Sequence, residues 1–132
     1  NIDHIAIGPA GVVEIETKNY RGDVRMRDGV LRVGGRRVDF FSQVERQIAA
    51  VERAVESNKV IGVVTILRGD FPWRSRPESG RIRVVPLDEL LLTVSTAPHV
   101  LSSDDVERMA RLAESRLLPA ARSADSPTPV DI

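Results

Sequence analysis

The chain has 132 residues, with 19 Lys and Arg against 19 Asp and Glu, so its formal net charge is zero. That length carries one domain with a real core, and the charge balance leaves no global electrostatic case for nucleic acid. The absence of cysteine excludes a disulfide framework and zinc–thiolate sites and fits a reducing cytoplasm.

No apolar run is long enough to cross a bilayer. The chain starts at Asn1, so a fragment or processed chain is expected, and the missing signal peptide carries no weight.

In chain order, residues 1–7 (NIDHIAI) and 12–18 (VVEIETK) read as two strands around the turn Gly8-Pro9-Ala10-Gly11. Residues 19–22 lead into a second, arginine-rich hairpin, with Asp28-Gly29 turning between VRMR and VLRV. Gly34-Gly35 turns the chain toward a helix, capped by Ser42 with Glu45 or a turn earlier by Asp39. Phe41, Val44, Ile48, Val51 and Val55 form its apolar stripe, with Gln43 and Gln47 one turn apart beside it. The β-branched run 59–67 (KVIGVVTIL) predicts a strand buried on both faces.

Residues 68–80 form a Pro-containing loop around Trp73, and 81–85 a shorter strand. Asp88 is expected to cap a helical turn with Leu90–Leu92. Ser102 or Ser103 starts a last helix that buries Val106, Met109, Ala110, Ala113 and Leu117. Residues 1–118 are read as the domain and 119–132, aperiodic and proline-bearing, as a tail or linker. There is no internal repeat.

The first hairpin carries the chemistry. If Gly8–Gly11 is the loop, Ile7 pairs with Val12, Ile5 with Glu14 and Asp3 with Glu16. Side chains alternate with a period of two, so Asp3, Glu14, Glu16 and Lys18 share one face, while His4, Ile15 and Thr17 share the other. Opposed like charges are destabilising. A divalent cation with an ammonium beside it would offset the repulsion, so the spacing suggests a metal site. Arginine supplies 17 of the 19 basic residues, yet Lys18 stands beside the two carboxylates. A compact ammonium with a tunable pKa suits water activation or phosphate stabilisation better than a permanently charged fork. The plainer reading is that E-x-K is a common triplet on solvated strands. His4, on the opposite face, reads as a core or interface histidine. No Ser-His-Asp or Cys-His arrangement and no phosphate-binding glycine loop is present.

The run IDHIAIGPAGVVEIETKNYRG, residues 2–22, resembles the core of the nuclease-related domain, or NERD, family. That family belongs to the PD-(D/E)xK, restriction-endonuclease-like superfamily. The resemblance extends to Gln43, to the strand at 60–67 and to the closing helix near 101–117. It implies an α/β fold with a central mixed sheet flanked by helices. It also implies Mg2+ or Mn2+ held by Asp3 and Glu16, with the Thr17 carbonyl as a further ligand, Lys18 as catalytic lysine and Gln43 lining the site. The implied activity is metal-dependent phosphodiester hydrolysis, in DNA. The alternative is a non-catalytic nuclease-like module that binds nucleic acid or a protein partner within a longer or oligomeric assembly.

Two departures stand out. The chain begins too late to contain the acidic helix the family places upstream. Glu14 occupies a position where an apolar residue is expected; it shares the metal-facing side, where it could assist the site, and the plainer reading is an edge glutamate paired to an arginine.

Positive charge is local. Residues 21–37 hold six arginines against two aspartates, and 68–83 five arginines against two acids. Arg21, Arg25, Arg74 and Arg76 can approach phosphates, and Trp73 could stack on an unpaired base. Solvated faces and ordinary packing are the plainer readings of the same residues.

Overall fold

A computed structural model of the protein describes residues 2–117; the tail read at 119–132 lies outside the described residues. The strands are β1 (His4–Gly8), β2 (Gly11–Arg27), β3 (Val30–Val33), β4 (Arg36–Val38), β5 (Val60–Asp70), β6 (Glu78–Ser79) and β7 (Ile82–Pro86). The helices are α1 (Phe41–Val55), α2 (Leu90–Ser95, entered through a 3-10 turn at Leu87–Glu89) and α3 (Ser103–Arg116). The sheet is ordered β4-β3-β2-β5-β7-β6, and β1 also pairs with β2. Pairings β2–β5 and β5–β7 are parallel and the rest antiparallel, so the sheet is mixed and the fold α/β, as expected.

The largest departure from the sequence reading is β2. Residues 19–22 do not link two hairpins, because one 17-residue strand runs through them and serves both. Its first half lies between β1 and β5, and its second half pairs with β3. The β2–β5 register shifts between Lys18 and Arg21, a bulge that absorbs an extra residue. Gly22 explains why the strand survives its glycine. A Cβ there would lie 2.6 Å from the Gly34 Cα, and both residues have positive φ, +119° and +61°. Only glycines allow the strand and the β3–β4 turn to approach so closely.

One face of the sheet packs on α1 and α3. Val12, Val64, Ile66, Ile82 and Val84 meet Val44, Ile48, Val51, Val55, Met109 and Ala113 in the main core. The other face carries a smaller cluster of Val13, Val63 and Val85 under Leu90 and Val94 of α2. Burying each such aliphatic side chain is worth roughly 1.5–3 kcal/mol, so the larger cluster fixes α1 against the sheet.

The local signals at helix starts fared unevenly. Ser102 caps α3, its hydroxyl accepting from Asp105 N–H at 3.1 Å. Neither Ser42 nor Asp39 caps α1; Phe40 holds that position without a side-chain bond. Asp88 likewise caps nothing, since the 3-10 turn starts after Pro86. Ala110 is exposed rather than buried, because only Met109 and Ala113 of α3 are fully covered. Among the described residues, no helix is long and apolar enough to cross a membrane.

Candidate metal and catalytic site

The first hairpin forms in the register read from its turn: His4 pairs with Ile15, Ile5 with Glu14 and Ile7 with Val12. Alternation along β2 then puts Val12, Glu14, Glu16 and Lys18 on the face covered by α1. Asp3 lies one residue before β1, and its Oδ2 accepts from Thr17 N–H at 3.2 Å. That bond anchors the Asp3 carboxylate beside Glu16.

Lys18 joins the strand to the helix. Its Nζ is 3.7 Å from Glu16 Oε2 and donates to Gln43 Oε1 at 3.4 Å. The Lys18 side chain is 20% exposed and that of Glu16 only 5%, so the ammonium sits at the mouth with the carboxylate beneath. Gln43 projects from the first turns of α1, which the aliphatic core holds over β2 and β5. Glu16, Lys18 and Gln43 therefore form one connected group, and Asp3 is held next to it through the Thr17 N–H.

Glu14 corrects the sequence reading. It is neither at an edge nor paired to an arginine. It is fully buried, and neither carboxylate oxygen has a hydrogen-bond donor. Its lateral neighbours are Ile5 on β1 and Gly62 on β5, so β2 is an interior strand at this point. Burial, with the charges of Glu16 and then Asp3 adding to it, pushes its carboxyl up to about 7. Period-two alternation from Glu16 already placed Glu14 on this face. What the sequence lacked was the knowledge that both flanking positions are occupied.

Glu16 Oε1 is also buried without a donor. Buried polar groups without partners are rare and point to a missing ligand, water or ion. Carboxylate oxygens are the donor set for a hard cation such as Mg2+, which commonly takes one or two carboxylates plus waters and phosphate oxygens. These residues fit such an ion. Among the described residues no group of three or more Asp, Glu or His side chains gathers to hold a cation by itself.

His4 lies on the opposite face, as expected, but is exposed and so is no core residue. Arg21 and Arg25 are exposed on β2, with Arg25 only 4.0 Å from Asp23. The loop after β5 carries Trp73, 85% exposed, with the Arg74 guanidinium 5.5 Å from its ring centroid. Arg76 is used internally. It forks onto both Glu89 oxygens and donates to the carbonyls of Pro72 and Ser75, so it ties the Trp73 loop to the turn before α2. This loop and the Lys18 group are separate surfaces, linked by β5 and not by side-chain contact. A further bond the sequence did not announce joins Arg68 Nε to Asn19 Oδ1 at 2.9 Å, across the bulge next to Lys18.

A mixed sheet with Glu16-x-Lys18 on an interior strand, Asp3 hairpinned beside it and Gln43 on the covering helix is consistent with a nuclease-like α/β core. Residues 1–67, just over half of the chain, match the nuclease-related domain (NERD), and the chain belongs to that family. The family is placed in the PD-(D/E)xK superfamily. The match ends within β5 and does not include the last helix, to which the sequence resemblance extends. No curated protein and no solved structure matches the chain.

Proposed function

We propose that this domain is a Mg2+- or Mn2+-dependent nuclease that hydrolyses phosphodiester bonds, with DNA as its substrate. The observation that carries the reading is Lys18, which bonds Gln43 and pairs with Glu16 beside carboxylate oxygens that have no donor. Asp3 and Glu16 would hold the cation, with the Thr17 carbonyl as a further oxygen. When bound, the ion supplies Lewis-acid polarisation of the phosphate and lowers the pKa of the attacking water. Lys18 sets its ammonium where negative charge develops on the phosphate. Gln43 fixes that ammonium and positions water or substrate. Arg21, Arg25, Arg74 and Trp73 contact the nucleic acid, and Arg76 acts by shaping the loop that presents two of them. A cysteine-free chain supports a reducing compartment, the cytoplasm.

One observation favours a second reading. Among the described residues no group of three or more Asp, Glu or His side chains is arranged to hold a metal ion, and the Glu14 beside Glu16 is fully buried. A non-catalytic module that binds nucleic acid or a protein partner would need no such group. Nicking of supercoiled plasmid by the full-length protein separates the two. Wild type nicks in Mg2+ and stops in chelator, and Glu16→Gln loses at least about 100-fold, the scale of one lost transition-state contact. A wild type that cleaves neither DNA nor RNA in Mg2+ or Mn2+ is the binding module.

A further inference from the structure

The second hairpin sets three arginines side by side. Arg25 of β2 pairs with Arg32 of β3, and Arg32 pairs in turn with Arg37 of β4. Directly paired residues on one face have Cβ atoms roughly 4.5–5.5 Å apart, so three guanidinium stems stand in a row across the strands. All three residues are exposed. The opposite face of the same strands presents Val24, Leu31 and Val33 to the main core. The row therefore looks away from α1 and from the Lys18 group. Alternation adds Arg21, Asp23 and Arg27 of β2 to the arginine side. The Asp23 carboxylate lies 4.0 Å from Arg25 with both side chains mostly exposed, and among the described residues Arg32 and Arg37 form no ion pair.

Like charges opposed across strands work against the sheet. A sequence selected for stability alone would alternate their sign. The row lacks asparagine, glutamine or an aromatic ring with which to read base edges or stack. Guanidinium forks match phosphate geometry, and phosphate contacts position a nucleic acid without reading it.

We infer that Arg25, Arg32 and Arg37 form a backbone-binding strip that holds nucleic acid on the sheet face opposite the Lys18 group, without regard to sequence. This rests on the nucleic-acid reading proposed above. Lys18 and Arg25 are seven residues apart on β2 and on opposite faces of it, so the strip is a surface distinct from the Lys18 group.

The test uses the full-length protein with Arg32→Gln and Arg37→Gln together, in chelator so that nothing is cleaved. Fluorescence anisotropy with a labelled 30-base-pair duplex is read across a salt series. The double variant loses about tenfold or more in affinity at low salt, and its log K against log salt slope flattens by about 0.9 for each arginine removed. Lysine at both positions restores the slope, because a point charge still meets a phosphate. The melting temperature of the glutamine variant stays level or rises, since repulsion is relieved. A strip with a merely structural role gives the reverse pattern, a lower melting temperature with an unchanged salt slope, and overturns the proposal. Equal affinities of wild type and variant for duplex, with a loss confined to phosphatidylserine vesicles, overturn it in favour of a membrane. Because cleavage is never read, an inactive Lys18 site leaves the strip standing and a failed strip leaves the Lys18 chemistry standing.

Discussion

Glu14 and Glu16 project from the same face of β2, and three of their carboxylate oxygens are buried with no hydrogen-bond donor. Lys18 pairs with Glu16, at 3.7 Å, and no basic side chain pairs with Glu14 among the described residues. Two neighbouring acids thus receive one ammonium. A proton on Glu14 and a cation beside Glu16 are the two ways to relieve the remaining charge, and each has a measurable consequence.

The cation should stabilise the fold. Mg2+ or Mn2+ binding the folded chain alone adds about 2.7 kcal/mol at a hundredfold excess over Kd, which raises the melting temperature by several degrees. Asp3→Asn and Glu16→Gln should abolish that rise while leaving the metal-free fold intact. A wild type whose melting temperature ignores both metals up to millimolar concentrations has no such site.

The proton should show as a pH dependence in chelator. Glu14 titrates near 4.5 when unfolded and is pushed up to about 7 in the fold, so the folded state keeps a proton that the unfolded state releases. Its favourable contribution is complete below about pH 4.5 and is lost as pH rises through about 7, a loss of order 3 kcal/mol. Urea unfolding of the metal-free protein should show stability falling between pH 5 and pH 8. Glu14→Gln should flatten that fall, and an equal slope in the variant would assign it to another group.

Close packing of α1 over the sheet depends on Gly62. A Cβ there would lie 2.9 Å from Ile48 Cδ1 and 3.0 Å from Val44 Cγ1, beside Glu14 on the neighbouring strand. Gly62→Val should cost about 1–3 kcal/mol by overpacking and should displace the helix that carries Gln43. Gly8→Ala, with nothing within 4 Å of its Cβ, should change stability by less than about 0.5 kcal/mol. Equal urea midpoints for the two variants would contradict this packing.

Trp73 is the only tryptophan and is 85% exposed, so its fluorescence reports directly on its loop. Stacking on an unpaired base should quench it when single-stranded DNA is added in chelator. Trp73→Ala should then weaken single-strand binding by about 1–3 kcal/mol. Emission unchanged at saturating DNA would return Trp73 to the role of a loop residue braced by Arg74.

Much of this was legible in the sequence, and the remainder failed for identifiable reasons. Gly8–Gly11 fixed the first hairpin's register from the His4–Ile15 pair to the turn, which put Glu14, Glu16 and Lys18 on one face, while Asp3, just before β1, meets the Thr17 N–H. The β-branched run before Arg68 became the buried central strand. The unity of β2 was hidden because Asn19, Arg21 and Gly22 look like a connection, and only the bulge and the Gly22–Gly34 approach keep the strand going. Glu14 was misplaced because a single hairpin does not say what lies on β2's other edge; β5 lies there. Serine and aspartate near the start of α1 promised a cap, but core packing of Phe40 and Val44 set that end instead. The Arg25–Arg32–Arg37 row needed two registers at once, and local composition showed only that arginines were numerous.

The most direct measurement is Mg2+-dependent nicking of plasmid by full-length Lys18→Ala and Lys18→Arg, with metal and DNA affinity measured in parallel. A lysine that acts mainly in the transition state lowers the rate far more than the binding. Both variants should keep their affinity for metal and DNA and lose nicking by at least about 100-fold. Arginine should not rescue, because its wide, permanently charged fork cannot replace the compact ammonium between Glu16 and Gln43. Nicking that survives Lys18→Ala undiminished would contradict the account.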